Sequence, residues 1–114
     1  MAHARARLER ERDCYVGLRN LCDDDDGTCL KDIRQHCINP VEDEAALRAR
    51  LPIERDCRTT LEADICVEPY DSLSCATLVA AHCRTPNPLA GPRVAALRLA
   101  VQADYDAAQA AIPA

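Results

Sequence analysis

The cysteines of the chain lie in two segments, ERDCYVGLRNLCDDDDGTCLKDIRQHC (residues 11–37) and ERDCRTTLEADICVEPYDSLSCATLVAAHC (residues 54–83). Successive cysteines are separated by 7, 6 and 7 residues in the first segment and by 8, 8 and 7 in the second. Both segments begin with Glu-Arg-Asp-Cys and end with His-Cys. A leucine follows the first cysteine by four residues in each, and a β-branched residue follows the third by four. These coincidences indicate an internal duplication.

Each copy predicts two helices joined by a short polar break. In the first copy the break is the acidic run at residues 23–28, and residues 39–40 (Asn-Pro) end the second helix. In the second copy residues 68–71 break the chain, and Asp71 or Ser72 caps the next helix. Both copies are therefore predicted to be helical hairpins.

The cysteine spacing predicts how the thiols pair. Eight residues of helix rise about 12 Å, so cysteines at this spacing on two antiparallel helices face each other as two rungs. Only the nested pairing among the three possible for four cysteines suits this geometry. The expected disulfides are Cys14–Cys37, Cys22–Cys29, Cys57–Cys83 and Cys66–Cys75.

The chain divides into five predicted parts, and the predicted fold class is all-α. It consists of two disulfide-stapled antiparallel helical hairpins in tandem plus a C-terminal amphipathic helix. The linker helix starts acidic and ends basic, which suits the helix dipole, and Pro52 is expected to end it. The parts are a charged N-terminal extension (1–10), the first hairpin (11–39), the linker helix (40–53), the second hairpin (54–85), and a Pro-rich joint with the C-terminal helix (86–114).

The C-terminal helix carries a narrow apolar stripe with spacings of three and four residues. This stripe either packs over the hairpins or docks onto a partner protein, and the sequence leaves both possibilities open. For the isolated chain we expect an exposed stripe. The candidate partner-docking residues are Val94, Leu97, Val101, Tyr105 and Ile112.

The composition excludes several classes of protein. The chain has no Phe or Trp, so its core is thin and disulfides are needed to support it. The net charge of -5 argues against nucleic-acid binding. No apolar run approaches the roughly 20 residues that span a bilayer. The first 20 residues lack the apolar core of a secretory signal peptide.

Eight cysteines in a chain whose first 20 residues predict no signal peptide have three possible explanations. The chain could be a secreted or periplasmic disulfide-rich binding protein whose signal peptide has been removed. It could be a cytosolic thiol protein that binds metal, although zinc knuckles separate their cysteines by roughly two to four residues and the closest pair here has six between them. It could also enter an oxidising compartment without a presequence.

No pattern in the chain predicts catalysis. The run Asp23 to Asp26 fails as an EF-hand, because Cys22 and Ile33 would occupy the first and last positions of the loop. We expect a solvated acidic turn with Gly27 at positive φ. There is no serine nucleophile in a triad context and no Gly-rich phosphate loop. We predict that the chain is not an enzyme and has no catalytic residue, cofactor, metal site or small-molecule substrate.

The paired cysteines, Cys14/Cys22 with Cys29/Cys37 and Cys57/Cys66 with Cys75/Cys83, resemble the coiled-coil-helix-coiled-coil-helix (CHCH) family of the mitochondrial intermembrane space. The pairs are separated by fewer residues than in the commonest form of that motif. Members of the family enter unfolded and are trapped by oxidation, so the resemblance implies disulfides without a presequence. It implies a location in the intermembrane space, peripheral to the inner membrane.

The same resemblance suggests a role. The tandem hairpins are similar to small accessory subunits of respiratory-chain complexes. The expected function is therefore that of a non-catalytic structural subunit that braces the intermembrane-space face of an inner-membrane complex. Its partners would be the protein subunits of that large membrane-associated complex.

Overall fold

The computed structural model describes residues 2–112, with side chains from Ala6 onward. Met1 and residues 113–114, at the ends of the predicted N-terminal extension and C-terminal segment, lie outside the described residues. The described part is helical and contains no strand, which confirms the predicted all-α class. Its elements are α1 (Ala2–Leu18), a 3-10 helix (Arg19–Leu21), α2 (Gly27–Ile38), α3 (Glu44–Ile65), α4 (Leu73–His82) and α5 (Gly91–Ala110).

The chain forms two compact units, unit 1 up to Ile53 and unit 2 from Glu54 onward. The division falls inside α3, whose first half contributes buried residues to unit 1 and whose second half contributes them to unit 2. Each unit is thus a helical hairpin with one further helix packed against it.

All eight cysteines form disulfides, and the predicted connectivity is confirmed. The Cα atoms of each pair lie 5.7 or 5.8 Å apart, an ordinary separation for a disulfide. Two bridges link α1 and the adjoining 3-10 turn to α2 in unit 1, and two link the second half of α3 to α4 in unit 2. The bridges are Cys14–Cys37, Cys22–Cys29, Cys57–Cys83 and Cys66–Cys75.

The core of unit 1 combines the hairpin with the first half of α3. Leu18 and Ile33 are buried between the hairpin helices, and they pack with Leu47 and Leu51 of α3. The two α3 leucines are four positions apart and therefore lie on one face of the helix. Their burial is nearly complete, at 0% and 1% exposure.

An arginine also holds α3 against unit 1. The Arg50 guanidinium donates two hydrogen bonds to Glu42 Oε1, at 3.0 and 2.6 Å, and one to Asp32 Oδ2 at 3.4 Å. Glu42 precedes α3 and Asp32 lies on α2. The bond to Asp32 therefore joins the third helix of unit 1 to its hairpin, and the bonds to Glu42 hold the segment between α2 and α3 against that helix.

The core of unit 2 is built in the same way, with α5 as the third helix. Val79 of α4 is fully buried, and Leu97 and Val101 of α5, again four residues apart, are 5% and 3% exposed. These side chains pack against Leu61 and Ile65 of α3 and against the cysteines of the second hairpin. The C-terminal helix therefore belongs to the fold of unit 2.

The prediction that Pro52 ends the linker helix is wrong, because α3 continues through it to Ile65. A proline in a helix interior removes one backbone hydrogen bond and costs about 3 kcal/mol. Leu47 and Leu51 are buried before it, and Cys57 and Leu61 are buried after it. Burial on both sides outweighs this local cost.

Both hairpins begin their second helix with the same cap. Asp26 accepts a hydrogen bond from the Cys29 amide at 3.2 Å, and Ser72 accepts one from the Cys75 amide at 3.1 Å. The N-cap places Gly27 inside α2, and its φ is not positive. The expected positive φ at Gly27 is therefore wrong, because the acidic run caps a helix where a free turn was predicted.

The two bridges of unit 2 should differ in their effect on stability. Replacing Cys57 and Cys83 by Ala should lower the free energy of unfolding about 1 kcal/mol more than replacing Cys66 and Cys75. The first pair spans 26 residues and the second 9, so it restricts the unfolded chain more. Cys57 and Cys83 are both core residues, whereas Cys66 is only half-buried. Urea denaturation of the two double variants measures the difference, and equal midpoints would contradict it.

The packing of α5 predicts that alanine substitutions at two of its leucines will differ in their effect on stability. Leu97→Ala should destabilise the chain by about 2 to 4 kcal/mol, because it leaves a cavity in the core of unit 2. Leu99 is 69% exposed, so Leu99→Ala should change stability by no more than about 0.5 kcal/mol. Thermal unfolding followed by circular dichroism compares them. A larger effect at Leu99 would show that α5 packs through its other face.

Candidate interaction surface

The five candidate docking residues on and after α5 have different environments. Leu97 and Val101 are buried in unit 2, Val94 and Tyr105 are half-buried, and Ile112 is 62% exposed. The expectation of an exposed stripe is therefore wrong for its central residues. The second hairpin offers few large apolar side chains of its own, so the α5 stripe is needed to complete its core.

A tyrosine pair lies where α5 meets the break between the helices of the second hairpin. The rings of Tyr70 and Tyr105 make an edge-to-face contact, with centroids 5.2 Å apart and an interplanar angle of 83°. Such a contact contributes about 0.5 to 1.5 kcal/mol beyond the burial of the rings. The pair fixes the loop that carries Tyr70 against α5.

Two open grooves share Tyr70 and Val101 as lining residues. The larger has a volume of about 350 Å³ and the smaller about 200 Å³. Beyond the shared residues, the larger is lined mainly by Ser72, Ser74, Asp104, Tyr105, Ala108 and Gln109, and the smaller by Asp64, Ile65, Val67, Glu68, Arg98 and Gln102.

Polar contacts hold the walls of these grooves in place. Ser74 Oγ donates a hydrogen bond to Asp104 Oδ2 at 2.6 Å, which joins α4 to α5. Arg98 pairs with Asp64, which joins α5 to α3. Asp104 is thereby oriented at the larger groove while its carboxylate remains exposed.

The larger groove lies in an acidic part of the chain, whereas the smaller one is lined by both Asp64 and Arg98. Residues 66–83 and 99–112 contain no Lys or Arg. Glu68 lines the smaller groove, and Asp71 lies between two lining residues of the larger one. Among the described residues, neither carboxylate has an ion-pair partner. Apolar and aromatic walls beside unpaired carboxylates form a surface suited to binding.

Sequence reasoning did not find this surface. It named Tyr105 but missed Tyr70, Ser74 and Asp104, which come together only when α5 packs on the hairpin. The tyrosines are 35 positions apart and share no local pattern. The sequence feature that could have indicated this surface is its charge, because the two segments that form the larger groove lack Lys and Arg.

The duplicated histidines differ in their surroundings. His82 Nε2 forms a 2.7 Å hydrogen bond with the Pro88 carbonyl and so ties the end of α4 to the Pro-rich joint. In the first copy, His36 Nδ1 is buried, and no described residue forms a hydrogen bond with it. The two copies of the His-Cys dipeptide therefore do not make the same contact.

Among the described residues, no helix combines the length and the apolar character needed to cross a bilayer. Comparison with known protein families, with curated proteins and with solved structures finds no significant match to this chain.

Proposed function

We propose that the chain is a non-catalytic structural accessory subunit that braces the intermembrane-space face of a mitochondrial inner-membrane complex, with a respiratory-chain complex as the favoured host. The observation that carries this proposal is the nested pairing of all eight cysteines in two helical hairpins. Disulfides persist in oxidising compartments, and the topology resembles that of CHCH proteins.

The distribution of apolar side chains supports a role in contact with other proteins. Each unit has a small core that includes its own cysteines, while large aliphatic side chains remain exposed in both units. Val41 is 91% exposed and Leu73 is 85% exposed. These exposed side chains are available for contact with neighbouring subunits, and the bridges limit how far each hairpin can deform on contact.

The same disulfides favour one alternative, a secreted or periplasmic binding protein. Secreted domains with small cores commonly depend on disulfides. The two proposals share a fold and differ in compartment and partner, so the location of the chain separates them.

The chain, tagged at its C-terminus and expressed in its source cells, should fractionate with mitochondria. It should become accessible to protease once the outer membrane is ruptured, and on native gels it should migrate with a large complex. A variant with Cys14→Ala and Cys57→Ala should fail to accumulate, because each hairpin loses the bridge at its open end. Leu99→Ala, which leaves all bridges intact, is the matched control. Recovery from the medium or the periplasm would refute the mitochondrial proposal and support the alternative.

A further inference from the structure

We propose that the larger groove of unit 2 is the docking site for a basic amphipathic helix of a partner protein. An apolar side chain of that helix would enter between Tyr70 and α5, and its Arg or Lys side chains would lie over the carboxylates at the groove. This inference rests on the proposed function, because it names the chemistry of the subunit surface that the chain contacts.

The shape of the groove suits a side chain carried on a helix. Its apolar wall is formed by Val101, Tyr105 and Ala108 of α5, and Tyr70 faces them from the loop. At about 350 Å³ its volume is at the lower end of the range for ligand-binding pockets, and it is partly open to solvent. A helix laid on such a groove inserts apolar residues spaced by three or four positions.

The charge of the groove selects a basic partner. Asp104 is held by Ser74 and stays exposed, so its carboxylate is oriented before any partner arrives. Among the described residues that line the larger groove, Asp104 alone is charged and none is Lys or Arg. Glu68, which lines the smaller groove, and Asp71 add negative charge on the Tyr70 loop. Complementary charge accelerates association and disfavours acidic partners.

Apolar residues next to the groove extend the contact area. Leu73, 85% exposed, lies between the lining residues Ser72 and Ser74. Ile112 follows the lining residue Gln109 by three positions and is 62% exposed. A second copy of this chain is the less suitable occupant, because each copy carries a net charge of -5 and the copies repel one another.

The test uses the oxidised full-length chain and a fluorescein-labelled synthetic helix that carries leucines at positions i and i+4 and arginines on both sides of them. Fluorescence anisotropy should show saturable binding that weakens as salt is raised. Matched peptides with Glu in place of Arg, or Ala in place of Leu, should not bind. Saturable binding of the Glu peptide, or no binding of the Arg–Leu peptide, would overturn the proposal.

Two pairs of protein variants localise the binding. Ala108→Trp fills the groove and should abolish binding, whereas Ala107→Trp, on the adjacent exposed residue outside the groove, should not. Glu68→Gln with Asp104→Asn should weaken binding about tenfold, and Asp24→Asn with Asp25→Asn, the same charge change in the acidic loop of unit 1, should change it less than about twofold. Equal effects within either pair would refute the site.

The result can be separated from that for the proposed function. A chain that migrates with a mitochondrial complex but binds no basic helix would refute the groove proposal alone. A chain that binds the helix but is found outside mitochondria would refute only the proposal of a mitochondrial host complex. Self-association of the chain that Ala108→Trp abolishes would assign the groove to a second copy and overturn the partner proposed here.

Discussion

The structure depends on paired disulfides that join two antiparallel helices in each hairpin. The bridges act in two ways, because they restrict the unfolded chain and their sulfur atoms also fill the core. Cys29 and Cys75 are each 1% exposed, as deeply buried as the aliphatic residues around them. With no Phe or Trp available, half-cystines supply part of the apolar volume that aromatic residues provide in other small domains. Each hairpin can therefore hold its helices together around very few large side chains.

In each unit the helix that follows the hairpin completes the core. Leu47 and Leu51 complete unit 1, and Leu97 and Val101 complete unit 2, the members of each pair being four positions apart. The structural repeat is therefore a three-helix unit. In the first copy the third helix continues directly into the first helix of the second copy, which is why α3 is 22 residues long and why Pro52 lies within it. No separate linker exists between the copies.

The features that sequence reasoning found are those governed by local geometry. The connectivity follows from equal cysteine spacing on neighbouring helices. Of the two caps, Ser72 is one of two predicted candidates, whereas Asp26 is predicted to lie in a free acidic turn, although each lies three residues before a cysteine. An apolar stripe shows which face of a helix is buried but not what buries it. The sequence therefore did not decide whether α5 packs on the hairpin or on a partner protein. The continuation of α3 through Pro52 likewise depends on tertiary packing, which overrides local preference.

Both units hold the third helix with buried apolar side chains and an ion pair, but they differ in the other contacts. Unit 1 uses Arg50, whose bonds to Glu42 and Asp32 satisfy charges within the unit. Unit 2 uses the Arg98–Asp64 ion pair, the Ser74–Asp104 hydrogen bond and the Tyr70–Tyr105 contact, and an open groove lies beside the tyrosines. An ion-pair network that is satisfied internally offers little to a partner, whereas aromatic walls beside exposed carboxylates keep both apolar contact and charge available. The groove proposed as a docking site thus lies on the unit whose third helix carries the aromatic pair.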